Sequence, residues 1–154
     1  MIKIIGIGKI KDKNLASLID HYQKQINNYH KLQIIEVKDE PIINNDHPNA
    51  IMQREGERVL KQIKDDEYVV LLDLHGEQLD SLQLAKWLDK SFVHHDKLCF
   101  VIGGSLGLGE NLLKRANYRL KLSNLTFLHG MTRLILLEQI YRAFKINNNE
   151  TYHK

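Results

Sequence analysis

The stretch from Leu98 to Gly109 reads Leu-Cys-Phe-Val-Ile-Gly-Gly-Ser-Leu-Gly-Leu-Gly and contains four of the nine glycines in the chain. Its apolar half has the length and composition of a buried β-strand, and a helical pattern begins at Glu110. Glycine has no β-carbon and tolerates positive φ, so a glycine-rich loop after a strand can bring bare backbone to a ligand. The stretch therefore predicts a strand, a ligand-contacting loop and a helix in succession; a tight structural turn is the alternative.

Apolar segments and amphipathic helical patterns alternate along the rest of the chain. Further strands are predicted at Ile2–Ile7, Leu32–Val37, Tyr68–Leu72 and Tyr118–Leu122. Helices are predicted over residues 12–27, 50–64, 81–88, 110–116 and 132–145, with Ser81 as an N-cap, residues 38–49 as a long loop and residues 74–78 as a turn. This alternation predicts an α/β fold with a mostly parallel sheet and flanking helices, in one domain of residues 1–154.

The positions of three loops give the first inference about function. Ligands of open α/β sheets lie beyond the carboxyl ends of the strands. Residues 72–76, 103–109 and 122–127 each follow a predicted strand, so they are expected to lie on one rim and to share one pocket.

The composition is ordinary for a soluble globular protein, with 43% hydrophobic and 27% charged residues and a net charge of +3. No apolar run approaches the roughly 20 residues of a membrane helix, and the N-terminus becomes polar too soon for a signal peptide, so we expect a cytoplasmic protein. The small net charge is weak support for tight binding of free nucleic acid. The single cysteine, Cys99, lies in an apolar strand and is interpreted as a core residue, not a nucleophile.

The glycine loop lacks the residues of two common nucleotide-binding motifs. A Walker loop requires lysine and then serine or threonine after its last glycine, whereas Glu110 and Asn111 occupy those positions. The dinucleotide fingerprint fails both after Gly107 and after Gly6, which leaves a nicotinamide or flavin enzyme as a weaker alternative. The adjacent pair His94-His95 has no carboxylate or cysteine at ligand spacing, so no metal site is predicted.

The predicted last helix carries apolar residues on more than one face. Either the helix is buried on several sides or one face meets a second subunit. Glu138 and Arg142 are four residues apart and can pair, which by itself is an ordinary surface salt bridge. The closing residues Tyr152, His153 and Lys154 form either a frayed tail or an aromatic and cationic group that can stack on a base and hold a phosphate.

Several short motifs are together specific for one family. They are Gly6-Ile7-Gly8-Lys9, Arg54-Glu55-Gly56-Glu57, Leu72-Asp73-Leu74-His75-Gly76, Phe100 to Leu108, Leu122 to Phe127, His129 with Arg133, Glu138 to Ala143, and Tyr152-His153-Lys154. Through them the chain resembles, nearly end to end, the ribosomal RNA large subunit methyltransferase H family, in the SPOUT class of S-adenosylmethionine-dependent methyltransferases. The resemblance implies a SPOUT fold with a deep trefoil knot in the C-terminal half.

The same resemblance implies a ligand, a substrate and an assembly. It implies a homodimer with the site near the subunit interface, S-adenosylmethionine held in the knot, and methylation at N3 of a pseudouridine in 23S ribosomal RNA of the assembled ribosome. The residues implied to contact the donor are Leu72, Gly103, Gly104, Gly107, Leu122, Ser123, Asn124, Leu125, Thr126 and Phe127. A catalytically silent RNA-binding or ribosome-associated factor on the same fold is the alternative.

Methylation at N3 requires the loss of a proton, so a general base is useful. The candidates are His129, His153 and Glu138, and His153 is favoured because a mobile tail can close over donor and target. Arg133 and Arg142 are expected to hold phosphates or the oxygens of the target base, and Tyr152 to stack beside them.

Overall fold

Five strands alternate with five helices in the computed structural model of the chain, which describes residues 1–43 and 47–154. The strands are β1 (Ile2–Ile7), β2 (Leu32–Val37), β3 (Tyr68–Gln78), β4 (Leu98–Ile102) and β5 (Tyr118–Lys121). The helices are α1 (Lys13–Asn27), α2 (Pro48–Leu60), α3 (Ser81–His94), α4 (Glu110–Arg115) and α5 (His129–Asn147). None of these helices is long and apolar enough to cross a membrane.

The five strands form one sheet in the order β2-β1-β4-β3-β5, and each neighbouring pair is parallel. This confirms the predicted α/β fold with a mostly parallel sheet. Strands β1 and β4 lie in the interior of the sheet and are buried along their whole length, as expected of strands covered on both faces. Because all strands point the same way, the loops after β3, β4 and β5 leave the same edge of the sheet.

The two faces of the sheet carry separate apolar cores. Ile4 and Phe100 belong to the core on the side of α1, α3 and α5, whereas Ile5 and Val101 belong to the core on the side of α2 and α4. Neighbouring residues of a strand point to opposite faces, so an uninterrupted apolar run supplies both cores at once.

Helix α5 packs between α1 and α3. Its buried residues lie on several faces: Gly130, Arg133, Leu136, Leu137, Ile140, Ala143 and Phe144. Contacts within the chain therefore account for its apolar faces, and the first of the two sequence-based explanations is confirmed. A second subunit is therefore not required to explain why α5 carries apolar residues on more than one face.

Strand β3 is longer than predicted. It continues to Gln78, where residues 77–78 pair with β5 after an irregularity between Leu72 and Glu77. The prediction of a turn over residues 74–78 is therefore wrong. A β-carbon at Gly76 would lie 2.7 Å from the backbone of Arg119, so glycine permits the close approach of these two segments.

Three helix starts also differ from the predictions. Helix α3 is capped by Asp80, whose side chain accepts from the backbone N–H of Gln83, so the predicted cap at Ser81 is wrong by one residue. Helix α5 begins at His129 instead of residue 132, and α2 begins at Pro48, inside the predicted long loop. Residues 44–46 of that loop lie outside the described residues. The trefoil knot that the resemblance implies stays a prediction.

Candidate functional site

A cavity of about 570 Å³ opens at the carboxyl edge of the sheet. The loops after β4 and β5 and the irregular part of β3 supply most of its wall, together with Met52 from α2 and the start of α5. The wall includes Leu72, Asp73, His75, Gly103, Gly104, Gly107, Leu122, Ser123, Leu125, Thr126, Phe127, His129 and Thr132. The predicted shared pocket is thus confirmed, and of the residues expected to contact a donor only Asn124 is not in the wall.

The glycine loop after β4 folds back on itself against this cavity. The backbone N–H of Gly107 donates to the carbonyl of Gly104 over 3.1 Å, and Gly107 has a φ of 103°, which side chains rarely permit. A β-carbon at Gly103 would lie 3.0 Å from Leu108 Cδ2 and 3.2 Å from the carbonyl oxygen of Gly107. Glycine is therefore required to keep the loop tight and the cavity open.

The loop after β5 presents apolar side chains at the mouth of the cavity. Leu125 is 71% exposed, and the backbone N–H of Leu125 donates to Ser123 Oγ over 3.0 Å. Phe127, Leu128 and Met131 are also exposed. Exposed apolar side chains that rim a cavity are typical of a surface that meets a ligand or another protein.

The polar wall of the cavity contains one ion pair and two histidines, His75 and His129. Asp73 Oδ2 lies 3.7 Å from Arg119 Nη1, so this cation is already balanced. His129, the first residue of α5, lines the cavity, and its Nε2 would lie 3.6 Å from a β-carbon at Gly8. Of the three candidate bases, His129 is the one that the chain places at its own cavity.

Arg133 does not reach this rim. Its side chain is 3% exposed, and Nη1 lies 2.6 Å from Glu36 Oε2. Its Nη2 donates to the carbonyl of Gly8 over 3.3 Å, and a β-carbon at Gly6 would overlap the guanidinium. The buried guanidinium is thus unavailable to a phosphate, in contrast to the expected role.

The remaining candidates form a second group, which we call the tail cluster: Glu138, Arg142, Tyr152 and His153. Glu138 Oε1 accepts from Arg142 Nη2 over 2.6 Å and from the Tyr152 hydroxyl over 3.0 Å. Arg142 Nη1 lies 3.1 Å from His153 Nδ1, and its guanidinium stacks 4.8 Å from the centroid of the Tyr152 ring. The last residues are therefore tied to α5, which differs from a frayed tail.

The pKa values of Tyr152 and Arg142 in the tail cluster are raised above their ordinary values. Burial, with hydrogen bonds to Tyr22 and Glu138, raises the pKa of the Tyr152 hydroxyl above its ordinary value. The hydrogen bond to Glu138 raises the pKa of the Arg142 guanidinium. Glu138 also accepts from Gln139 Nε2 over 2.8 Å. Through these three hydrogen bonds Glu138 holds the tail against α5.

The cavity and the tail cluster are separate in one chain. Arg142 follows His129 by thirteen residues on α5, which is about 20 Å at 1.5 Å per residue. No member of the tail cluster lines the cavity. In one chain, His129 lies at the cavity with the predicted donor-contacting residues other than Asn124. The four residues of the tail cluster contact one another, but they lie away from the cavity.

Sequence reasoning missed Glu55, which lies behind the glycine loop. Glu55 is 3% exposed, its Oε2 accepts from the backbone N–H of Glu40 over 3.0 Å, and its Oε1 has no hydrogen-bond partner among the described residues. A β-carbon at Gly104 would lie 2.9 Å from that Oε1. Burial raises the pKa of the Glu55 carboxyl. The sequence signal that could have pointed to Glu55 is its position in the Arg54-Glu55-Gly56-Glu57 motif.

Two other expectations concern metals and thiols. Within residues 1–43 and 47–154, no three His, Cys, Asp or Glu side chains are grouped so that they could hold a metal ion. Cys99 is fully buried, and burial raises the pKa of its thiol to about 12. Its interpretation as a core residue is confirmed.

Comparison with known proteins gives matches along the whole chain. A family model described as "Predicted SPOUT methyltransferase" matches residues 1–153. Proteins named Ribosomal RNA large subunit methyltransferase H from Clostridium botulinum (strain Alaska E43 / Type E3) and Clostridioides difficile (strain 630) are each 48% identical over 157 residues, covering 99% of this chain and 99% of the relative. A probable methylase family protein from Haemophilus influenzae Rd KW20 has a similar fold, with a TM-score of 0.55 and 16% identity over 96% of this chain and 66% of that chain.

Proposed function

This chain belongs to the SPOUT methyltransferase family, and from that premise we propose that it transfers a methyl group from S-adenosylmethionine to ribosomal RNA of the large subunit. The chain is a ribosomal RNA methyltransferase. Its acceptor is N3 of a pseudouridine in 23S RNA, reached in the assembled ribosome in the cytoplasm. The cavity of about 570 Å³ at the shared rim is the single observation that carries this proposal.

The cavity suits a methyl donor with an adenosyl and a methionyl part. Its volume lies in the range of roughly 300–1,000 Å³ that is usual for small-molecule sites. Leu72, Ile102, Leu122 and Phe127 give it apolar walls, and its one described Arg or Lys, Arg119, is already paired with Asp73. A triphosphate would require free cations, so the wall favours a ligand of low charge.

The protein contributes alignment to the reaction. S-adenosylmethionine supplies a methyl group that is already activated by a sulfonium. The glycine loop and the loop after β5 hold the donor through backbone groups, and the exposed Leu125 and Phe127 cover its open side. Alignment of an acceptor nitrogen with such a group supplies much of the rate enhancement, because it removes the entropy of a bimolecular encounter.

A base is needed to remove the proton at N3. His129 lines the cavity, whereas His153 lies in the tail cluster with Arg142 at 3.1 Å. We favour His153 as the base, with His129 beside the donor as the second candidate. Arg142 and Tyr152 hold the target base, through the guanidinium and by ring stacking.

A homodimer would join the two groups that one chain keeps apart. In this proposal the tail cluster of one subunit lies over the cavity of its partner. The exposed apolar side chains Leu125, Phe127 and Leu128 line the cavity and would be covered by the second subunit. Both sites of a two-fold dimer would then be composite and identical.

Two measurements test the proposed function. Calorimetry should show binding of S-adenosylmethionine, and a catalytically silent factor should show none. Ribosomes from a strain that lacks this protein are then incubated with the chain and the donor, and their RNA is digested to nucleosides. The expected product is N3-methylpseudouridine; a methyl group on any other nucleoside would overturn the acceptor assignment.

A further inference from the structure

The segment from Gly8 to Lys13, which we call the lysine edge, joins β1 to α1 at the rim that carries the cavity. It begins in the Gly6-Ile7-Gly8-Lys9 motif, to which methyl transfer assigns no role. The ring of His129, a cavity-lining residue, lies against Gly8, with Nε2 at 3.6 Å from the position of a β-carbon. The lysine edge therefore borders the site.

The backbone of the lysine edge is held by the buried ion pair. Arg133 Nη2 donates to the carbonyl of Gly8 over 3.3 Å, and the backbone N–H of Ile10 donates to Glu36 Oε2 over 3.1 Å. Arg133 and Glu36 pair with each other at 2.6 Å. The backbone N–H of Gly8 also donates to the carbonyl of Val37 over 2.8 Å. One ion pair thus fixes the segment at two points.

Side chains anchor the same segment. Ile10 packs at the start of α5, where a β-carbon on Gly130 would lie 3.1 Å from Ile10 Cδ1. Asp12 caps α1, because its Oδ1 accepts from the backbone N–H groups of Asn14 and Leu15 over 2.8 and 3.1 Å. The lysine edge is therefore an ordered connection.

The lysines of this edge are free. Lys9 and Lys11 are exposed on either side of the anchored Ile10, and Lys13 is exposed at the first turn of α1. None of the three side chains forms a hydrogen bond or an ion pair in the part of the chain that the structure describes. Of the nearby carboxylates, Glu36 is engaged by Arg133 and Asp12 by the helix cap. The exposed Asp39 lies beside Gly8, with its Cγ 3.9 Å from the position of a β-carbon there.

Resting on the proposed function, we propose that the lysine edge is an RNA-binding surface, where Lys9 and Lys11 hold backbone phosphates of the ribosomal RNA beside the target nucleotide. Lysine binds phosphate as a point charge, and each phosphate neutralised releases counterions. A backbone that is already fixed loses little entropy on binding. This placement also explains how a chain with a net charge of only +3 can bind RNA at its site.

The test compares two double variants with equal loss of charge. Lys9→Gln with Lys11→Gln removes the two cations from the rim, whereas Lys86→Gln with Lys90→Gln removes two exposed, unpaired lysines from α3. Binding to ribosomes that lack the modification is measured at several salt concentrations. For the rim variant we expect the Kd to rise about tenfold and the salt slope to fall by about two. The α3 variant should bind as the wild-type chain does.

Donor binding and methyl transfer are measured in the same preparations. Both variants should bind S-adenosylmethionine within about twofold of the wild-type Kd, since neither pair lines the cavity. Equal ribosome affinity and equal salt slopes for the two variants would overturn the proposal that the lysine edge binds RNA. A wild-type chain that binds ribosomes through these lysines but transfers no methyl group would instead overturn the proposed function alone.

Discussion

Arg133 and Glu36 are 97 residues apart in sequence, yet Arg133 Nη1 lies 2.6 Å from Glu36 Oε2. The side chain of Arg133 is 3% exposed and that of Glu36 is 36% exposed, so the pair spans from the interior to the surface. It ties α5 to the carboxyl ends of β1 and β2, next to the cavity. Its position predicts a structural role for Arg133, which the first prediction tests.

Replacement of Arg133 by methionine should lower the free energy of unfolding by about 3 kcal/mol. This is the lower end of the range for breaking a buried ion pair, because the partly exposed Glu36 can be hydrated again. Urea unfolding measures the change. Glu36→Gln should also lose stability: its amide oxygen still accepts from Arg133 and Ile10, but the buried guanidinium is left without its counter-charge. An Arg133→Met chain as stable as the wild type would contradict the account.

Replacement of Gly107 by alanine should weaken donor binding about tenfold. A φ of 103° is strained for any residue with a β-carbon, by about 1–3 kcal/mol, so the loop must leave the conformation that lines the cavity. Outside the adjoining residues, the nearest atom to that β-carbon is Met52 Sδ at 4.0 Å. A loss of affinity would therefore come from the backbone conformation and not from a steric clash. Calorimetry with S-adenosylmethionine measures it. The wild-type chain is the reference, and an unchanged affinity of Gly107→Ala would be incompatible with this role.

Replacement of Glu55 by glutamine should stabilise the protein more at high pH than at low pH. Burial raises the pKa of Glu55 in the folded state, so its protonated form contributes stability below the unfolded pKa, and that stability is lost as the pH rises through the folded pKa. Glutamine stays neutral and can still accept from the Glu40 N–H. Melting temperatures of the variant and wild type are compared at about pH 4 and about pH 8. A difference that does not change with pH would refute this assignment.

Replacement of His153 by alanine should reduce turnover by about 10²–10⁴-fold, the usual effect of losing a general base. Donor binding should stay near normal, because His153 does not line the cavity of its own chain and is proposed to act on the acceptor nitrogen, not on the donor. Single-turnover methyl transfer and calorimetry measure the two quantities. His94→Ala, an exposed histidine at the end of α3, is the matched control. Unchanged turnover would remove His153 from the mechanism.

Mixing two inactive variants should restore activity if the sites are composite. Gly103→Val blocks the cavity and His153→Ala removes the tail histidine. Co-expression in equal amounts should place an intact cavity opposite an intact tail in about a quarter of all sites, by random pairing of subunits. Methyl transfer by the mixture is compared with that of each variant alone. A mixture as inactive as its components would show that the tail does not act on the partner's cavity.

Much of the fold followed from local patterns. Strands β1, β2 and β4 have the predicted bounds. The interior strands β1 and β4 are buried along their whole length, as a strand covered on both faces is. The shared pocket followed from the rule that parallel strands end at one edge. The extension of β3 over residues 73–78 did not follow, since its polar Glu77 and Gln78 are held by pairing with β5, a contact that no local pattern encodes.

The side chains of the site were harder to place than the loops. Arg133 looked like a surface cation because its burial depends on Glu36 and on the bare backbone of Gly6, both distant in sequence. The separation of His129 from His153 also could not be read from the chain, although the resemblance associated both with one site. Glu55 stayed unassigned because only the packing of α2 behind Gly104 shows its buried, unpaired oxygen.

Transfer of a labelled methyl group to ribosomal RNA tests the proposed activity of this chain. The chain is incubated with labelled S-adenosylmethionine and, separately, assembled ribosomes, free large subunits and naked RNA from a strain that lacks this protein. We predict that label enters the large-subunit RNA of assembled ribosomes, with less in free subunits and least in naked RNA. Absence of label from all three would contradict the account.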